Sequence, residues 1–123
     1  MENEKIDFLK TYLSLYIGHQ EIVEHLDDPD SPYVVLDIRN APAAIKKDQI
    51  KGARAIAAKD LTAQLATLPK DKTYVVYDWT AGTTLGKTAL LILLSNGYQA
   101  FELASALEGW KGMHLPIEPV AAD

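Results

Sequence analysis

Asp78 ends an apolar run, Thr73-Tyr-Val-Val-Tyr77, and heads a loop of small and hydroxylated residues: Trp79, Thr80, Ala81, Gly82, Thr83 and Thr84. A helical pattern opens at Thr83 or Thr84. A strand feeding a short loop and a helix N-terminus turns several backbone N–H groups into one concavity, suited to an anion or a reactive side chain. The residue at the head of the loop sets the chemistry, and here it is a carboxylate. One reading has Asp78 accepting hydrogen bonds from its own loop amides in place of a bound anion. Another has it as a nucleophile or phosphoryl acceptor, which requires Mg²⁺ and further carboxylates or a lysine. Asp37 is the only obvious second acid, and Asp78-Trp79-Thr80 has no second Asp two positions on.

Other side chains complete the candidate set. Asp37 and Arg54 are expected to form a supporting pair that organises the crevice, with Arg54 as the alternative contact for an anion. Arg39 is read as a solvated partner of a surface acid, and Lys87 as exposed. Trp79 either closes the pocket or offers a contact surface. Trp110 is expected to pack in the core. His19, His25 and His114 lack metal-ligand spacing and are read as no site, and no cofactor is implied.

These groups need a frame, and the chain is long enough to build one. Its 123 residues fit a single domain that needs no staples. Hydrophobic residues make up 48% and charged residues 24%, the balance of a soluble globular protein. A net charge of −5 with only two arginines, Arg39 and Arg54, argues against nucleic acid as a partner. There is no cysteine, so disulfides, thiolate metal sites and thiol catalysis are excluded for this sequence. The acidic N-terminus has no continuous apolar run, which predicts neither a signal peptide nor a membrane span and makes the cytoplasm the expected location.

Residues 1–16 read as an amphipathic helix, with Ile6, Leu9, Leu13 and Tyr16 at helical spacing and Phe8 and Tyr12 beside them. The expectation is that this helix covers the core; the alternative is a helix that binds a protein partner or forms a homodimer. Residues 17–118 form the main domain and 119–123 a tail. An extended piece at 15–17 precedes a helix over 20–26 and the turn Asp27–Pro32. Tyr33–Ile38 reads as a strand buried on both faces. A helical turn from Pro42 to Lys46, a small strand over 53–56 and a helix over 60–68 follow. Thr73–Tyr77 is the next strand, and Thr84–Ser95 a helix buried on most sides, stopped by Asn96-Gly97. A strand over 98–103 and a helix over 104–111 complete the pattern. Strands alternating with helices at short intervals predict an α/β fold with a mostly parallel sheet covered on both faces. The ligand crevice then lies at the C-terminal strand ends, where Asp37 and Asp78 fall.

In this order, four pieces resemble the single-domain rhodanese-like family of sulfurtransferases, over about His19 to Pro116. Val34–Arg39 (VVLDIR) is similar to its strand ending in Leu-Asp-x-Arg, and Ile50–Ile56 (IKGARAI) to its Ile-Pro-Gly-Ala-x-x-Ile turn. Val75–Gly82 (VVYDWTAG) sits where the family has the strand leading into its catalytic loop. Leu91–Pro116 resembles the ending Leu-x-x-x-Gly-Tyr plus Gly-Gly-x-x-x-Trp-x-x-x-x-Pro. The resemblance implies a rhodanese-like three-layer fold with an extra N-terminal helix. It also implies an activity, the transfer of sulfane sulfur from a thiosulfate-type donor through a cysteine persulfide, and hence a small anionic sulfur donor as ligand. Three departures stand out. Asp78 occupies the position of the family cysteine, Asp48-Gln49 replaces a Gly-His, and the loop carries no Arg. A carboxylate cannot hold a persulfide and repels an anionic donor. The resemblance therefore implies an inactive scaffold or, alternatively, a non-catalytic binding or regulatory module that uses the loop around Trp79.

Overall fold

The computed structural model describes residues 2–122. Five parallel strands form the central sheet in the order β1 (Tyr16–Ile17), β6 (Gln99–Leu103), β5 (Thr73–Tyr77), β2 (Tyr33–Asp37) and β4 (Arg54–Ala55). β2 and β5 pair in register along their whole lengths, from Tyr33 opposite Thr73 to Asp37 opposite Tyr77. Their β-branched and aromatic residues alternate between two cores, as a strand covered on both faces requires. Tyr74 and Val76 point into one cluster with Leu36, Leu61, Ala89, Leu90 and Leu93. Val75 and Tyr77 point into the other with Ile22, Ile50, Leu103, Leu107 and Trp110.

The first cluster is roofed by α4 (Ala58–Gln64), its 3₁₀ extension Leu65–Thr67, and α5 (Leu85–Ser95). α2 (His19–Glu24) and α6 (Ala106–Gly112) cover the second. Trp110 is fully buried there, as expected, and its indole Nε1–H donates to the carbonyl of Pro116 at 2.8 Å. A short α3 (Ala43–Lys46) leads to β3 (Asp48–Ile50), which pairs antiparallel with β7 (Ile117–Pro119) as a separate ribbon. That ribbon takes in part of the stretch read as a tail, and Val120 N–H still donates to the carbonyl of Lys47 at 3.0 Å. The α/β class, the parallel sheet and the two helical layers are as expected, and no helix among the described residues is long and apolar enough to cross a membrane.

Two packing expectations change. α5 buries Gly86, Ala89, Leu90 and Leu93 on one side, while Leu91 and Leu94 face outward at 65% and 44% exposure. The helix lies on one face of the sheet, so its apolar surplus has nothing to pack on. α1 (Glu2–Ser14) does not cover the core either: every residue from Asn3 to Ser14 is exposed. Only Leu15 separates it from β1, and that connection is too short for the helix to fold back over the sheet it precedes.

Candidate active-site loop

Asp78 follows the last residue of β5 and lies 4% exposed at the head of the loop 78–84. Its Oδ2 accepts a hydrogen bond from the Thr83 hydroxyl, five residues on, and Thr83 Oγ1 also lies 3.3 Å from the carbonyl of Thr80. The partner is thus a hydroxyl of the loop rather than the loop amides expected from sequence. Asp78 Oδ1 is buried with no hydrogen-bond partner among the described residues. A buried, half-satisfied carboxylate is costly to leave alone. Thr83→Ala is therefore expected to destabilise the domain by about 1–3 kcal/mol, read as a lower midpoint in urea unfolding; a Thr83→Ser variant should retain most of that stability.

The backbone of the loop is anchored from α6. Leu107 N–H donates to the carbonyl of Asp78 at 3.1 Å, and Glu108 N–H to that of Trp79 at 2.9 Å. The residue that starts α6, Ala106, sits at φ 54° while being 2% exposed. A Cβ in this left-handed region is strained by about 1–2 kcal/mol, so Ala106→Gly should raise stability by about 1 kcal/mol. A thermal melt unchanged or lowered by that substitution would count against the strain. Ser105-Ala106 stands where the resembling family has a Gly-Gly pair, the sequence signal for a left-handed residue here.

Under the loop lies a charged frame that sequence reasoning assigned differently. Asp37, the last residue of β2, is fully buried and pairs with Arg39, which is fully buried as well. Arg39 Nε donates to Asp37 Oδ1 at 2.8 Å and Nη2 to Oδ2 at 2.6 Å, a two-pronged geometry that only a guanidinium gives. Nη2 also reaches the carbonyl of Asp48 at 2.7 Å. Arg39 is therefore not the solvated residue expected, and Arg54 is not the partner of Asp37. Arg54 is exposed and turns to α4's extension, where its Nη2 donates to Thr67 Oγ1 at 2.8 Å. The signal for Arg39 was its spacing: at the end of a strand, residues two apart point the same way.

Tyr77 completes the frame. Its hydroxyl donates to Asp37 Oδ2 at 3.0 Å and accepts from Ile50 N–H at 3.1 Å, tying β5, β2 and β3 together. Burial, reinforced by the Asp37 charge, pushes the phenol well above its ordinary range. Burial works against the charge on Arg39, but the hydrogen bonds and charge of Asp37 outweigh it and hold the guanidinium above its usual value. The Trp79 ring lies over that guanidinium, 4.2 Å from its central carbon, and Nη1 has no hydrogen-bond partner among the described residues. It is 37% exposed, so one face caps the arginine while the rest meets solvent.

At the N-terminal turn of α5, Lys87 bonds the buried Glu102 at 3.2 Å and lies over the Tyr16 ring at 5.5 Å, its side chain 42% exposed. Thr84 is exposed and stands immediately before the helix, and Ala81 and Gly82 are exposed at the loop tip. The arrangement is a strand–loop–helix turn with a carboxylate at its centre and an aromatic at its rim.

The sequence profile of the rhodanese-like domain matches residues 19–113. This chain belongs to the rhodanese-like family. Among solved structures, a full-length protein from Lactobacillus plantarum is 62% identical, with 98% of this chain and 100% of that one covered at a TM-score of 0.94. A Bacillus halodurans protein superposes at a TM-score of 0.81 with 21% identity, covering 100% of this chain and 92% of its own. A rhodanese-related protein of Thermoplasma volcanium does so at 0.70 with 20% identity, covering 84% and 96%; these two share the fold. Among curated protein sequences nothing matches. In this rhodanese-like domain the loop 78–84 joins β5 to α5, and the frame of Asp37, Arg39 and Tyr77 supports it from β2 and β5.

Proposed function

We propose that this chain is a catalytically silent rhodanese-like domain, in which Asp78 takes the place of the sulfur-carrying cysteine. The observation that supports this reading most is the position of the Asp78 carboxylate, buried at the head of the loop with Thr83 bonded to it. Sulfane-sulfur transfer needs a thiolate that attacks the donor and keeps the sulfur as a persulfide. The chain has no cysteine to do so. A carboxylate oxygen forms no stable bond of that kind, and its charge opposes thiosulfate in the same hollow. The test is a thiosulfate-to-cyanide assay on the full chain. Thiocyanate formation at the rate of the buffer blank is expected, and turnover above it would refute the reading.

Trp79 favours a second role, that of a binding module. An aromatic fixed on a buried guanidinium and partly open to solvent loses little side-chain entropy on making a contact, the property that lets aromatics anchor interfaces. A protein that depends on this surface would bind the wild-type chain and lose affinity for Trp79→Ala. Equal binding to both would remove the ring from the account.

A further inference from the structure

We infer that the chain forms a two-fold homodimer in which the α1 helix of each copy is covered by the outward face of α5 of the other. α1 is a 13-residue helix whose apolar residues share one broad arc, with Lys5 among them. Ile6, Phe8, Leu9, Tyr12 and Leu13 are 49%, 64%, 54%, 40% and 68% exposed. Together they leave on the order of 500 Å² of apolar surface open to water, at the upper end of what a typical monomer shows in one patch. A second uncovered patch lies on the same chain. Leu91 and Leu94 follow Lys87 at i+4 and i+7 on α5, so the three share one helix face.

The two patches flank one edge of the sheet. Phe8, Tyr12 and Tyr16 form a ladder of rings with centroids 5.9 and 5.1 Å apart, which carries α1 down to β1, the terminal strand. Lys87 reaches the last ring of that ladder. α1 is exposed from Asn3 to Ser14 while Leu91 and Leu94 stay 65% and 44% exposed, so neither patch covers the other within one chain. A second copy supplies both halves of the match at once. Its α1 lies against Leu91 and Leu94 here, and this α1 lies against the same residues there, the reciprocity a two-fold axis imposes. The paired surfaces amount to on the order of 1,400 Å², within the range of a specific interface. The polar side of α1 carries Glu4, Asp7 and Lys10, and Lys87 at the head of the α5 stripe is engaged by Glu102. A lipid surface fits poorly, since anionic membranes repel the acids of α1 and a chain of net charge −5.

Sedimentation equilibrium on the full chain, alongside single variants, tests the proposal. The wild-type chain is expected to be dimeric at about 10⁻⁵ M. Leu13→Glu on α1 and Leu91→Glu on α5 should each weaken association by roughly 100-fold or more. Ile45→Glu, at a residue 62% exposed on α3, should leave it unchanged. All three positions are exposed, and matching circular dichroism melts confirm that the variants fold. A wild-type chain that stays monomeric at millimolar concentration overturns the inference. So does a dimer that Leu91→Glu leaves intact, because α1 would then be covered by something other than the α5 face, and so does a monomer that captures only a foreign protein through α1.

Discussion

Asp37→Ala is expected to lower the stability of the domain by about 3–5 kcal/mol, because it strands a charged guanidinium in the interior. Arg39 is fully buried and its side chain owes two hydrogen bonds to that carboxylate; a third goes to the carbonyl of Asp48. The Tyr77 hydroxyl would lose its acceptor in the same step. Set against the 5–15 kcal/mol that holds a typical domain together, the loss is severe. Arg39→Met tests the converse, leaving Asp37 buried with Tyr77 and its own backbone contacts alone. The double variant Asp37→Ala/Arg39→Met removes both charges and should be more stable than either single one, since a buried pair often gives way to apolar groups at little net expense. Urea unfolding followed by tryptophan fluorescence reads all three. If Asp37→Ala alone shifts the stability by less than about 1 kcal/mol, the pair is not the frame of the site.

Asp78→Cys should convert a chain with no sulfur transfer into one that forms a persulfide. The introduced thiol would sit in a strand–loop–helix turn, next to the start of α5 and beside the Thr83 hydroxyl. Such a setting favours the thiolate, with a pKa below the roughly 8.5 of free cysteine. The thiolate attacks the outer sulfur of thiosulfate, a new S–S bond forms, and sulfite leaves with the bonding pair. Cyanide then takes that sulfur as thiocyanate and returns the thiolate. Mass spectrometry after thiosulfate treatment should show one added sulfur on the variant and none on the wild-type chain. The loop has no arginine to hold the donor, so turnover should saturate only at high thiosulfate concentration. A variant that is folded, alkylates readily and still gains no sulfur would mean that the loop has lost more than its nucleophile.

Much of this architecture is legible in the residues themselves. β2 and β5 announce themselves as apolar, β-branched runs closed by polar residues, and Asn96-Gly97 ends α5 where a helix C-terminus signal should. The antiparallel pairing of Asp48–Ile50 with Ile117–Pro119 was not legible. Each partner is three residues long, too short for a period, and the contact spans most of the chain. Arg39 was misjudged for a different reason. Its spacing from Asp37 points to one acceptor, but an arginine at a strand end reads as solvated while the other, a backbone carbonyl nine positions away, is unknown. The segment 78–84 lies between β5 and α5, as the strand and helix patterns predict, but the role of Thr83 depends on the turn that brings it back onto Asp78. For α1, the periodicity says that one face seeks cover; it carries no information on which molecule provides it.

The two N–H groups of α6 that hold the carbonyls of Asp78 and Trp79 ignore side-chain identity altogether. The loop is thus a socket moulded by main chain, and whatever is plugged in at position 78 inherits its geometry without having built it. A fitting can be exchanged there while the housing keeps its shape, so losing a reaction at this position need not entail losing the fold.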